Sequence, residues 1–345
     1  MRVLHPAAPL LVLAAVLAGC GDGSPAEPDA PAVAQLTVNA ESGWALVDLG
    51  DPARVVTGSE PARATDWDIG FFGTGVMLNG GDAGPGGVVG YCVCQNQGAS
   101  DAQVKAMTPE SELGDFQAVG AAQLPTADSL WRSDALVPAI AGWYRYDAAT
   151  RVVSAAPERS WKVRTAEGTA FAKLRVAKLE GPTRTHAGRV TLEYAVQSAA
   201  GAPMGEVRQL SVDLAAGGVY IDLVKGAVSD AADWDLRLEG YTLRVNGGVS
   251  GRGQAGAVPG AEPFAQIGTA SDIPAQVYKA DAFGGVFDAR RWYRYNLDGS
   301  HQVWPTYDVY LVRRGSEIYK VQLTGYYGPA GESRRVTFRY AKLAG

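Results

Sequence analysis

Histidine and cysteine are each present only three times in 345 residues, and methionine four times. Beyond Cys20 the count falls to His186 and His301, and to Cys92 and Cys94. That leaves too few soft or imidazole donors in any one stretch to complete a protein metal site. Basic excess is also missing: 31 Lys and Arg stand against 36 Asp and Glu, a formal charge of -5 scattered in both signs. No basic stripe argues for nucleic acid. After the leader no apolar run approaches about 18 residues, so nothing further reads as a membrane span. The common catalytic signatures are missing too. There is no P-loop, HExxH or G-x-S-x-G, and "GRGQAG" at 251–256 runs into "AVPG" where a dinucleotide site needs a helix. Asp66 with Asp68, and Asp233 with Asp235, flank a Trp and read as turn or cap carboxylates. An enzyme is not expected.

What is present begins with a leader. Arg2 and His5 precede an apolar run from Ala7 to Ala18, the layout of a secretory signal. It ends in "LAGC", Leu17 to Cys20, which resembles the bacterial lipobox. By that resemblance residues 1–19 are a lipoprotein signal peptide, and Cys20 is acylated and anchors the chain to a lipid membrane. The competing reading is an ordinary signal peptide with an incidental Cys. Residues 20–34, rich in Pro, Ala and acid, form a flexible tether.

The body of the chain repeats itself. "QLTVNAESGWALVDL" at 35–49 aligns without gaps on "QLSVDLAAGGVYIDL" at 209–223. DWD (66 and 233), NGG (79 and 246), WYRY (143 and 292) and the pair "RVTLEY" (189) and "RVTFRY" (335) follow in the same order. We therefore expect two tandem homologous domains, 35–198 and 209–345, each folding separately, joined by a linker at 199–208. The first copy carries an eighteen-residue insertion between NGG and WYRY that holds Cys92 and Cys94.

Alternation in "YTLRVNGG", "YKVQLT" and "RVTFRY" is that of strands with one buried face. The fold class is all-β, β-rich with a few short helices, around 127–140 and 272–282. WYRY reads first as an aromatic strand filling a sheet interface.

The order "RWYRYN…H.V.P…YLVR…YKVQLTGYYGP…VTFRYAKL" at 291–343 resembles the carboxy-terminal half of the HmuY family, haem-binding surface lipoproteins of Gram-negative bacteria. The resemblance implies haem binding or acquisition without catalysis, an outer-membrane or cell-surface location, and a TonB-dependent receptor as partner. The alternative is a structural or protein-interaction lipoprotein that keeps the fold and has lost haem. Haem iron takes an imidazole or thioether donor. His301, in the loop after the second WYRY, is the candidate iron ligand, and His186 the weaker one. Tyr293, Tyr295 and Trp304 are candidates to wall the porphyrin, with Arg291 or Arg294 for its propionates. No single repeat supplies two histidines. Cys92 and Cys94 read as a disulfide or as half of a soft-metal site.

Overall fold

The computed structural model describes residues 33–50 and 52–343. The signal peptide, Cys20 and nearly all of the tether therefore lie outside the described residues. Strands make up 42% of the chain and helix 9%, so the protein is all-β. No helix among the described residues is long and apolar enough to cross a membrane.

The sheets come in matched pairs. One five-stranded antiparallel sheet runs in the order Ala34–Asn39, Ser333–Lys342, Glu317–Tyr327, Val309–Arg314, Val89–Cys92. The other runs Arg208–Asp213, Arg189–Gln197, Phe171–Glu180, Trp161–Arg164, Gly256–Pro259. Two four-stranded sheets repeat in the same way, from residues 45–78 and 219–245. Each WYRY forms a two-stranded hairpin, Tyr144–Asp147 with Val152–Ala155 and Tyr293–Tyr295 with Val303–Pro305.

Strand pairing does not follow the expected boundary at 199–208. The opening strand of the first repeat pairs with the closing strand of the second, Ala34 opposite Tyr340 and Asn39 opposite Arg335. Val89–Cys92 of the first repeat likewise pairs with Val309–Arg314 of the second. The expected linker is instead the turn of a hairpin: Arg189–Gln197 pairs directly with Arg208–Asp213, Arg189 opposite Asp213. Gln197 ties this turn down, donating to the Ala202 carbonyl and accepting from the Ala270 and Ser271 amides. The hydrophobic cores divide along the same lines. Val38, Phe71, Val88 and Trp292 share one core with Tyr310 and Phe338. Trp143, Trp161, Leu192, Ile221 and Leu243 share the other. One body thus contains 33–137 with 282–343, and the other is the continuous stretch 138–281. The physical reason lies in the repeat: near-identical strands offer near-identical partners, and register does not distinguish one copy from the other. The chain crosses between bodies twice, and the crossing strands Ala135–Val137 and Ala282–Gly284 pair with each other.

The repeated motifs are structural. Asp68 accepts the Leu49 amide and Asp235 the amides of Leu223 and Ala166, each pinning neighbouring backbone. Asn79 donates to the Trp67 and Ala64 carbonyls and accepts from Gly86, while Asn246 donates to the Trp234 carbonyl and accepts from Gly253. Glycine follows each Asn because a Cβ at Gly80 would stand 2.0 Å from the Val88 carbonyl oxygen, and at Gly247 2.1 Å from that of Ala255. Both WYRY tryptophans, Trp143 and Trp292, are fully buried.

Two expectations need correction. Regular helix does not form at 127–140 or 272–282; those stretches hold only short 3-10 turns, Asp128–Leu130 and Ala275–Val277. The helices are Asp101–Ala106, Leu113–Ala118 and Val286–Ala289. The insertion that holds the first two falls after Cys92 and not around it, since Val89–Cys92 takes the place in its sheet that Gly256–Pro259 takes in the other. The alternating strand 319–324 also does not leave its polar face in water. Lys320, Gln322 and Thr324 are buried together with Tyr319, Val321 and Leu323. The insertion covers that face: Lys320 Nζ donates to the Phe116 and Val119 carbonyls, each at 2.8 Å, and Arg339 Nη1 to the Pro109 carbonyl at 2.7 Å.

Candidate ligand-binding cleft

A cleft of about 1010 Å³ opens beside the second WYRY hairpin. In that hairpin Tyr293 lies opposite Pro305, Arg294 opposite Trp304 and Tyr295 opposite Val303. Alternation sends Tyr293, Tyr295 and Val303 to one side of the ribbon, and these three line the cleft. The hairpin loop supplies His301, held in the left-handed region (φ 57°), with its amide donating to Asn296 Oδ1 at 2.8 Å. Its Nδ1 stands 3.2 Å from the Tyr295 hydroxyl, and the ring is exposed.

The facing wall comes from the ends of two long paired strands, Glu317–Tyr327 and Ser333–Lys342. Tyr326 and Tyr327 close the first of these and Arg334 opens the second. The Tyr327 hydroxyl accepts from the Val303 amide at 3.0 Å and so bridges the two walls. Burial raises the Tyr326 hydroxyl above its ordinary pKa. Beneath the cleft, buried Trp292 stacks edge-on against Tyr293, and its indole N–H donates to the Thr74 carbonyl at 2.9 Å. Thr74 is the tip of the hairpin joining Ile69–Phe72 to Gly75–Leu78.

The structure thus brings His301, Tyr293, Tyr295, Arg291 and Arg294 into one cleft. Arg294 is already engaged there: its Nη1 forms an ion pair with Asp101 at 2.6 Å and its Nη2 donates to the Ala99 carbonyl. Trp304 lies on the opposite side of the ribbon from the tyrosines and does not line the cleft. His186 is elsewhere, in a separate shallow cleft with Glu180, Arg189 and Asp213, where its Nδ1 accepts the Gly188 amide at 3.1 Å. Sequence reasoning missed Thr74, Tyr326, Tyr327 and Arg334. The usable signal was "GYYGP", where the first repeat has "LEGP".

The other repeat places Tyr241 where Thr74 stands, each following a left-handed glycine, Gly240 and Gly73. Tyr241 lies 4.9 Å from the Tyr144 ring and 6.5 Å from that of Trp143, and its hydroxyl donates to the Thr183 carbonyl. An aromatic side chain of the protein itself therefore covers Trp143 and Tyr144 of the first WYRY hairpin, whereas the second opens onto the cleft.

Cys92 and Cys94 are disulfide-bonded, their Cα atoms 5.0 Å apart. Among the described residues no group of three or more His, Cys, Asp or Glu could hold a metal ion.

No family model matches the chain, and neither does any curated protein. Among solved structures it is similar to an HmuY-like heme binding protein from Bacteroides vulgatus, at 14% identity, covering 36% of this chain and 84% of that one, with a TM-score of 0.17. A lipoprotein from Bacteroides fragilis matches at 20% identity over 36% of this chain and 80% of that one, TM-score 0.17. The apo HmuY analog of Tannerella forsythia matches at 13% identity over 62% and 96%, TM-score 0.16. At these scores the weight falls on the geometry of the cleft.

Proposed function

We propose that the protein is a lipid-anchored surface protein that binds haem in the cleft beside Tyr293–Tyr295, without catalysis, in the manner of the HmuY-like proteins it resembles. The observation that carries the reading is that His301, four tyrosines and the rim arginines Arg291 and Arg334 converge on the WYRY hairpin that opens onto the cleft. The volume suits a large planar ligand, and the donor set suits an iron porphyrin. With Nδ1 turned to the Tyr295 hydroxyl, Nε2 is the nitrogen left for iron. Tyr293, Tyr295, Tyr326 and Tyr327 line the cleft with aromatic surface, and Arg291 and Arg334 could meet carboxylates. Arg294 takes a different part: pinned by Asp101 and Ala99, it fixes the hairpin to the insertion. Neither His186 nor any methionine lines this cleft, so His301 would be the one imidazole or thioether donor to haem iron there. Haem would supply the iron centre and the visible spectrum; the chain holds, orients and shields it. Acylation at Cys20, an outer-membrane or surface location and a TonB-dependent receptor belong to the same proposal.

Haemin titration of the full chain tests it. Wild type should give a Soret shift, and His301→Ala should lose it while His186→Ala keeps it. Thr74→Tyr, which borrows the residue closing the other hairpin, should weaken binding at least about ten-fold by removing apolar contact area. No spectral change in wild type would favour the alternative, an interaction lipoprotein without haem.

A further inference from the structure

A second cleft, of about 470 Å³, lies in the same body and is lined by the Cys92–Cys94 disulfide. We propose that this bond is a thiol–disulfide exchange site, opened and closed by an extracytoplasmic dithiol.

The bond does little for the fold. It closes a ring across the single residue Val93, and so short a loop removes the least chain entropy on cross-linking. The backbone around it is held by other means. Val89–Cys92 is the edge strand of the sheet, Cys92 lies opposite Tyr310, and the Val93 amide donates to the Val309 carbonyl at 2.9 Å. The Gly90 and Arg132 backbones exchange hydrogen bonds at 2.8 and 2.9 Å on the other edge. The two sulfurs therefore stay neighbours when the bond is broken, which favours reversible closure. Cys94 itself sits in the left-handed region (φ 61°), uncommon for a residue with a Cβ.

Cys92 packs into the hydrophobic core, and what favours a thiolate lies on the open side of the cleft. Arg132 and Arg290 line the cleft, and no carboxylate does. Asp308, behind the Cys94 loop, is taken up by the Asn96 amide, Gln97 and Thr306. Asp288, on the helix Val286–Ala289, is exposed outside the lining. Tyr91 lines the cleft, and Tyr310, on the adjacent strand, is held neutral by burial. Two guanidiniums with no opposing carboxylate lower the cost of a leaving thiolate. Cys94 is the more exposed of the pair, so the incoming thiolate attacks its Sγ. A new S–S bond forms to Cys94, the Cys92–Cys94 bond breaks, and its electron pair leaves on Cys92 Sγ. The second thiol of the partner then attacks the mixed disulfide, releasing Cys94 as a thiolate and the partner as its disulfide. Two electrons pass, and the reverse reaction closes the ring.

The test incubates the full chain with dithiothreitol at neutral pH, quenches with iodoacetamide and maps the peptide holding residues 92–94 by mass spectrometry. Double alkylation while far- and near-ultraviolet circular dichroism stay native is expected, with reoxidation restoring the bond. Arg132→Gln with Arg290→Gln should slow opening about ten-fold. Should that variant fold poorly, high salt should slow the wild-type reaction in the same direction. A bond that opens only when the chain unfolds would overturn the proposal, as would an opening rate that neither the arginines nor salt affect.

Discussion

Asp134 and Asp281 sit where the chain crosses between bodies, and both carboxylates are buried against backbone amides. Asp134 accepts from Leu78 at 2.6 Å, and Asp281 from Ala139 at 2.8 Å and Val245 at 3.1 Å. Burial raises both, and Asp134 reaches about 7. A carboxyl whose folded pKa is raised binds more protons folded than unfolded, between 3.8 and about 7. Its stabilising share is therefore complete below that window and lost as pH rises through 7. We expect the urea midpoint to fall from pH 5 to pH 8, with Asp134 contributing on the order of 3 kcal/mol to the change. Asp134→Asn keeps an acceptor for Leu78 and cannot ionise, so its stability should change less over that range. A wild-type midpoint that rises instead, or a variant with an undiminished slope, would contradict this account.

Elements show how far local pattern reaches. Lys320 and Lys173 occupy equivalent positions in their repeats, and burial lowers the pKa of both. Lys320 serves the carbonyls of Phe116, Gln117 and Val119, and Lys173 that of Ile267. Lys320→Met strands three acceptors, two of them buried, at the end of the short helix Leu113–Ala118 and should cost about 2–4 kcal/mol. Lys173→Met strands one and should cost roughly a third to a half as much, which chemical denaturation of the two variants would measure. Equal losses would mean that the carbonyls are not what the cations hold. Alternation found the strands and the apolar faces of residues such as Val321 and Phe338, because period 2 survives in a single chain. It misassigned Lys320 and Gln322 because what buries them, the insertion at 101–118, is distant in sequence and carries no period of its own. The cleft was half legible. His301 and the WYRY tyrosines stood out by scarcity and repetition, whereas Thr74 and Arg334 reach the site only through sheet pairing. The ion pair of Arg294 was not legible for the same reason: its partner Asp101 is 193 residues away.

At the scale of the whole molecule, the repeat is legible in the sequence and the exchange of halves is not. Each repeat carries both sets of strand edges, so pairing within a copy and pairing between copies satisfy the same local rules. The choice is made by chain connectivity. A short hairpin at 198–207 places Arg208–Asp213 against the strand that immediately precedes it, and the remaining edges can then close only on the chain's two ends. The consequence can be tested with fragments. Residues 138–281 hold one five-stranded sheet, one four-stranded sheet and a core of their own, and should melt cooperatively in isolation. The repeat-sized pieces 33–200 and 205–345 each contain halves of two bodies. Kept apart, they should expose unpaired strand edges and associate, whereas 33–137 mixed with 282–345 should assemble one to one. Calorimetry and sedimentation of the five pieces would decide the matter. Two repeat-sized fragments that each fold as compact monomers would show that pairing within a copy is available, and that the exchanged arrangement is not imposed by the hairpin.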